Sequence, residues 1–119
     1  MKPEIHIKRV YDKPSAKDGV RVLVDRLWPR GLKKEEVKAE WAKELAPSTE
    51  LRKWFNHAAP LWPDFEKRYM EELRKNDAVE GFLEEHQHDK QITLLYGAKD
   101  TEHNHAMVLR AYLDERFDH

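Results

Sequence analysis

Apolar residues recur along this chain with two different periods, and the switches between them divide it into strands and helices. From Glu4 to Tyr11 apolar and polar positions alternate, with Ile5 and Ile7 on one face and Val10 close behind, the period of a half-buried strand. Val20 to Asp25 is a short β-branched run with one interior charge, Arg21, and Gln91 to Tyr96 (QITLLY) is a second apolar run ended by Gly97. Both read as mostly buried strands, because a strand covered on two faces loses its alternation. Lys13 to Gly19 (KPSAKDG) is a turn-rich connector between the first two.

Between the second and third strands the spacing is helical. Lys34 to Leu45 sets Val37, Trp41 and Leu45 at i, i+4 and i+8, and Ala46-Pro47 stops it. Ser48 or Thr49 can N-cap the next segment, whose apolar residues are Leu51, Trp54 and Phe55. The stretch APLWPD (59–64) breaks the pattern, Phe65 to Arg74 resumes it with Phe65, Tyr69, Met70 and Leu73, and Ala78 to His86 is a shorter helix. After Gly97 to Asp100, residues Thr101 to Phe117 form a last helix, with Met107, Val108, Ala111 and Tyr112 in phase and Asp100 or Thr101 as N-cap. This order predicts one α/β domain over residues 1–119: a small, mostly parallel three-stranded sheet flanked by about five helices. The long helical crossover places the second and third strands parallel. The link between the first two is too short for a full helical crossover, so the direction of the first strand stays open.

Composition narrows the chemistry. With 22 basic and 23 acidic residues among 119, the net charge is -1, so no global field draws the protein to nucleic acid or membrane and any anion site must be local. The absence of cysteine removes disulfides, thiol nucleophiles and thiolate metal sites together. No apolar core follows MKPEIHIKRV, and no run approaches the roughly 18 apolar residues of a membrane span, so a cytoplasmic, untargeted protein is expected. There is no P-loop, G-x-G-x-x-G or G-x-S-x-G pattern.

If the second and third strands are parallel neighbours, their carboxyl ends share one sheet edge, where ligands of open α/β sheets collect. One strand brings Asp25-Arg26-Leu27-Trp28-Pro29-Arg30-Gly31 to that edge, and the other brings Tyr96 to His105. The second loop also opens a helix, whose unpaired N–H groups and dipole favour an anion. The expected site therefore has Asp25 and His105 as an acid–base pair, with Arg26, Trp28, Arg30, Tyr96, Lys99 and Asn104 as ligand-binding residues. Structural readings stand beside this one. Asp25 with Arg26 or Arg30 reads equally as a salt bridge fixing a corner, Trp28-Pro29 as packing and turn, and Lys99 as a solvated loop residue. His103-Asn-His105 and His86-Gln-His88 look like metal pairs, but residues i and i+2 diverge by about 200° around a helix. No metal and no other cofactor is expected, and His6, His57, His86 and His88 read as surface or core residues.

Several stretches carry a resemblance: KRVYD (8–12), DGVRVLVDRLWPRG (18–31), WAKELAPSTELRKWF (41–55), F-KRY-EEL (65–73) and ITLLYGAKDTEHNHA (92–106). Spread over nearly the whole chain, they resemble the YeaO-like proteins, a bacterial branch of the domain of unknown function family numbered 488. The resemblance implies an α/β fold like that read above. The broader family is similar in having a strand ending in Val-Asp-x-Arg and a later strand followed by Cys-His-Arg at a helix start. The first maps onto Val24, Asp25 and Arg26, with the arginine shifted by one; the second maps onto Asn104, His105 and Ala106, so only the histidine persists. No thiol chemistry carries over.

Two functions remain. One is a site for a small anion such as a phosphate, nucleotide or carboxylate, catalytic if His105 moves a proton under the orientation of Asp25. The other is a non-catalytic module in which the same loops hold a nucleic acid or a protein, with Trp28 stacking on a base. Neither needs a membrane, and nothing in the sequence sets an oligomeric state.

Overall fold

The structure, a computed structural model, describes residues 2–118. Four strands, not three, form one parallel sheet: β1 (Glu4–Arg9), β2 (Val20–Leu23), β3 (Glu40–Trp41) and β4 (Gln91–Tyr96), in the order β1-β4-β2-β3. The first strand's direction is settled by its partner. β1 runs parallel to β4 in full register from Glu4↔Gln91 to Arg9↔Tyr96, and β2 pairs on the other side from Val20↔Ile92 to Leu23↔Leu95. The chain returns from β1 to β2 through a single 3₁₀ turn at Ala16–Asp18. Gly19 then enters β2 at φ +67°, where a Cβ would stand 2.5 Å from the Gln91 carbonyl oxygen.

The extra strand comes from the expected helix over Lys34–Leu45. That segment divides into a one-turn helix α1 (Lys34–Val37), β3, and a 3₁₀ turn at Lys43–Leu45. Lys38 ends α1 in the left-handed conformation (φ 51°), its N–H closing on the Lys34 carbonyl. The backbone of Glu40 and Trp41 then pairs with Val22 and Leu23 of β2. Pairing with β2, with Val37 and Trp41 packed beside Leu23 and Leu95, overrides the local helical period.

The remaining helices are α2 (Thr49–Phe55), α3 (Trp62–Arg74), α4 (Ala78–His86) and α5 (His105–Phe117). Ser48 caps α2 as expected, its hydroxyl accepting from the Leu51 N–H at 3.1 Å. Two boundaries differ from expectation. Pro63 sits in the first turn of α3 rather than breaking the segment, a position where no N–H is needed. Asn104, not Asp100 or Thr101, caps α5, accepting from the Met107 N–H at 3.1 Å. Asp100 instead closes its own turn by accepting from the N–H groups of Glu102 and His103 at 2.8 and 3.0 Å.

Strand parity decides which face each helix covers. Ile5, Val22, Val24, Ile92, Leu94 and Tyr96 point into the larger core, against α2, α3, α4 and α5. Leu23 and Leu95 point the other way, to a smaller cluster with Val10, Val37, Trp28 and Trp41. The same second face carries the buried pair Asp18–Arg21. Arg21 also donates to the Val37 carbonyl from Nε and Nη2, and Lys8 joins Asp18 at 3.1 Å. Among the described residues no helix is long and apolar enough to cross a membrane.

Candidate functional site

All the strands being parallel, the chain leaves all four on the same edge, and three backbone bonds tie those exits together. Val10 N–H donates to the Tyr96 carbonyl at 2.8 Å, Val24 N–H to Leu95 at 3.0 Å, and Ala42 N–H to Leu23 at 2.8 Å. Beyond this edge lies a cleft of about 270 Å³. One wall is Leu27, Trp28 and Pro29, from the loop after β2. Pro47, Arg52, Phe55 and His57, together with Phe65 of α3, also line the cleft. The loop after β4 and the start of α5 supply Gly97, Ala98, His103, Asn104 and His105.

Asp25 is the hub of the cleft. Its Oδ2 accepts the Gly97 N–H at 2.9 Å, joining the two loops. A Cβ on Gly97 would lie 2.8 Å from that oxygen, so any larger residue would push the carboxylate off this bond. His105 Nε2 lies 3.1 Å from Asp25 Oδ1 and 3.0 Å from the Val24 carbonyl oxygen. A carbonyl can only accept, so Nε2 carries a proton, and that proton points at Val24. Asp25 Oδ1 is left buried, close to the imidazole, with no hydrogen-bond donor among the described residues.

The other expected site residues divide in two. Arg26 lines the cleft, but its guanidinium donates to the Pro47 and Ala46 carbonyls at 2.9 and 3.1 Å and so fastens the loop before α2. Trp28 lines it too, with its indole N–H given to the Leu32 carbonyl at 2.7 Å and its ring edge-on to Trp41 at 5.3 Å. The Asn104 amide is spent on the helix cap and on the Asp100 carbonyl. Three residues fall outside the cleft. Arg30 and Lys99 are exposed and do not line it, and Tyr96 is buried in the core, where burial pushes its phenol up. Arg30 contributes only its backbone carbonyl, which accepts from the Tyr11 hydroxyl at 3.1 Å.

Four polar residues of the cleft lie outside the expected set: Tyr11, Arg52, His57 and His103. Arg52, on the exposed side of α2, has no ion-pair or side-chain hydrogen-bond partner among the described residues. His57 follows Asn56, and both adopt left-handed backbone (φ 56° and 41°). Asn56 is the left-handed cap of α2, its N–H closing on the Arg52 carbonyl, and His57 continues that turn into the cleft. The sequence signal was there, since Asn and His are the residue types most tolerant of that region. His103 donates from Nδ1 to Asp100 Oδ2 at 3.0 Å and sets its ring edge against Trp62 at 5.4 Å, which leaves Nε2 free of protein partners among the described residues. The Glu102 N–H, and then the His103 N–H and imidazole, outweigh burial and hold the Asp100 carboxyl below the ordinary carboxylate range. Arg52, His57 and His103 thus line an aromatic- and proline-walled space together with one carboxylate, Asp25.

A parallel sheet with helices on its larger core and a ligand-sized cleft at the carboxyl edge defines an α/β protein of the open-sheet type. The chain belongs to the DUF488 family: residues 4–119 match the family model described as the inactive DUF488-N3 subclade. It is 46% identical over 110 residues to the uncharacterized protein YeaO of Escherichia coli (strain K12), covering 92% of this chain and 96% of that one. Uncharacterized proteins of Mycobacterium bovis and Mycobacterium tuberculosis are each 35% identical over 113 residues, covering 94% of this chain and 95% of theirs. No solved structure matches it.

Proposed function

We propose that the cleft binds a small anionic ligand carrying an apolar or aromatic body, a nucleotide-like or carboxylate compound, and holds it without turning it over. The observation that carries this reading is the grouping of Arg52, His57, His103 and the start of α5 around walls made of Trp28, Pro29, Phe55 and Phe65. A free guanidinium offers a bidentate fork to phosphate or carboxylate, and the first turn of a 13-residue helix adds about half a positive charge. The apolar walls exclude water and strengthen each of those contacts.

Two facts favour binding over catalysis. The subclade's own description is inactive. In addition, the two residues expected to form the acid–base pair each spend a polar group on the fold: the His105 Nε2 proton on Val24 and Asp25 Oδ2 on Gly97. Arg30 and Lys99 become accessory, steering charges at most.

Titration calorimetry with pyrophosphate and with nucleoside mono- and diphosphates tests the proposal. Micromolar binding is expected, weakened at least tenfold by Arg52→Ala and by His103→Ala and little changed by the pair Arg30→Ala, Lys99→Ala. Its salt dependence is shallow, because few phosphates are contacted. If none of these anions binds below millimolar while a short oligonucleotide does, with a steep salt dependence, the cleft is part of a nucleic-acid surface and the proposal fails.

A further inference from the structure

Away from the cleft, at the last turn of α4, a second polar cluster forms from residues far apart in sequence. His86 is buried, its side chain only 5% exposed. Its Nδ1 lies 2.7 Å from Asp89 Oδ2. Its Nε2 faces Glu40 of β3, with the two carboxylate oxygens at 3.2 and 3.4 Å, and Glu85 Oε1 at 3.9 Å. The donor atoms of Glu40, Glu85 and His86 all fall within 4.8 Å of one another.

We propose that Glu40, Glu85 and His86 bind a divalent transition metal of the zinc type, with Asp89 orienting the imidazole. The orientation is the independent observation. A carboxylate can only accept, so Asp89 fixes a proton on Nδ1 and turns Nε2 towards Glu40 and Glu85. Nε2 thus sits between two carboxylates; in the metal-free protein a proton on Nε2 bridges to Glu40, and a metal ion would take the place of that proton with the same two carboxylates as ligands. Carboxylate–histidine–metal arrangements of this kind fix the tautomer and raise the basicity of the liganding nitrogen. Ligands about 2.0–2.2 Å from a tetrahedral zinc stand roughly 3.3–3.5 Å apart, and the observed separations of 3.2 and 3.9 Å need only small side-chain adjustment. One imidazole and two carboxylates favour zinc, nickel or manganese over calcium or magnesium. The two glutamates are partly or largely exposed, so ions can enter and a fourth position stays open to water. The metal would clip β3, the two-residue edge strand, to the end of α4. Spacing along the chain could not reveal this site, because Glu40 and His86 are 46 residues apart.

Titration calorimetry of Zn²⁺ into the full chain, in a non-chelating buffer near neutral pH, decides the matter. One equivalent is expected to bind with micromolar affinity. Glu85→Gln and Glu40→Gln each weaken it at least tenfold, and Asp89→Asn weakens it by about 10–100-fold. All three replaced side chains reach solvent, and circular dichroism checks that the variants are folded. His103→Ala, in the cleft, leaves Zn²⁺ affinity unchanged. Wild-type protein that takes up no Zn²⁺ below millimolar overturns the proposal. So does binding that survives both glutamate variants or is lost with His103→Ala.

Discussion

Replacing Asp25 by alanine tests whether the carboxylate holds the corner between β2 and β4. In the native cleft Oδ2 accepts the Gly97 N–H at 2.9 Å, while the His105 Nε2 proton is taken by Val24. Truncation therefore leaves one main orphan, the partly buried Gly97 N–H, at about 1–3 kcal/mol. The His105 contact loses only a neighbouring charge. For a chain of this length each kcal/mol moves the melting temperature by roughly 3–6 °C, so a cost of about 2 kcal/mol predicts a fall of about 6–12 °C. Asp25→Asn keeps an acceptor for Gly97 but sets an amide N–H against the imidazole N–H, so its melting temperature lies between alanine and wild type. Scanning calorimetry measures both. An alanine variant melting within about 1 °C of wild type would falsify the assignment of Asp25 as the hub. The same variants address function. Asp25 is the one carboxylate lining the cleft among the described residues, so Asp25→Asn is expected to bind pyrophosphate no more weakly than wild type.

Three further outcomes follow from the geometry. Gly97→Ala presses a methyl against Asp25 Oδ2 at 2.8 Å and is expected to cost about 1–3 kcal/mol by urea titration; an unchanged midpoint would mean that the loop yields freely. Gly19→Ala combines positive φ with a Cβ 2.5 Å from a backbone oxygen, and is expected to lose more than about 2 kcal/mol or to fail to fold; wild-type stability would contradict the observed entry into β2. At Asp18, burial is the largest influence and opposes ionisation, but the Ser15 N–H, Lys8 and Arg21 outweigh it and hold the carboxyl below its ordinary 3.8. A depressed carboxyl stabilises the fold fully above the unfolded value and loses that contribution as pH falls through the folded one. The urea midpoint of wild type is therefore expected to fall below about pH 4 more steeply than that of Asp18→Asn, and parallel acid profiles would refute the linkage.

Much of this protein was legible in its residues. The strand at Glu4, the run Val20–Val24 and the run QITLLY were each marked by period or by β-branched content, as were the helices over 49–55, 65–74 and 78–86 and the last helix. The parallel pairing of β2 with β4 followed from the helical stretch between them, since parallel strands need a long crossover. That one inference brought Asp25, Trp28 and His105 to a common edge, and the structure places all three around one cleft. The family resemblance rests on the same motifs.

Other features were decided only when the chain closed on itself. Local period reports which face of an element is apolar; it does not report which edge is free to pair. Lys34–Leu45 therefore reads as a helix, although β2 draws Glu40 and Trp41 into a strand. Charge in a loop likewise does not reveal its partner. Arg26 turns inward to two carbonyls, Arg30 and Lys99 stay outside the cleft, and Arg52 and His57 enter it from a helix and a turn that looked structural. Glu40 meets His86 only because the edge strand and the end of α4 converge. In each case the deciding contact joins residues distant in sequence, and its free energy exceeds the small local preferences that a sequence pattern records.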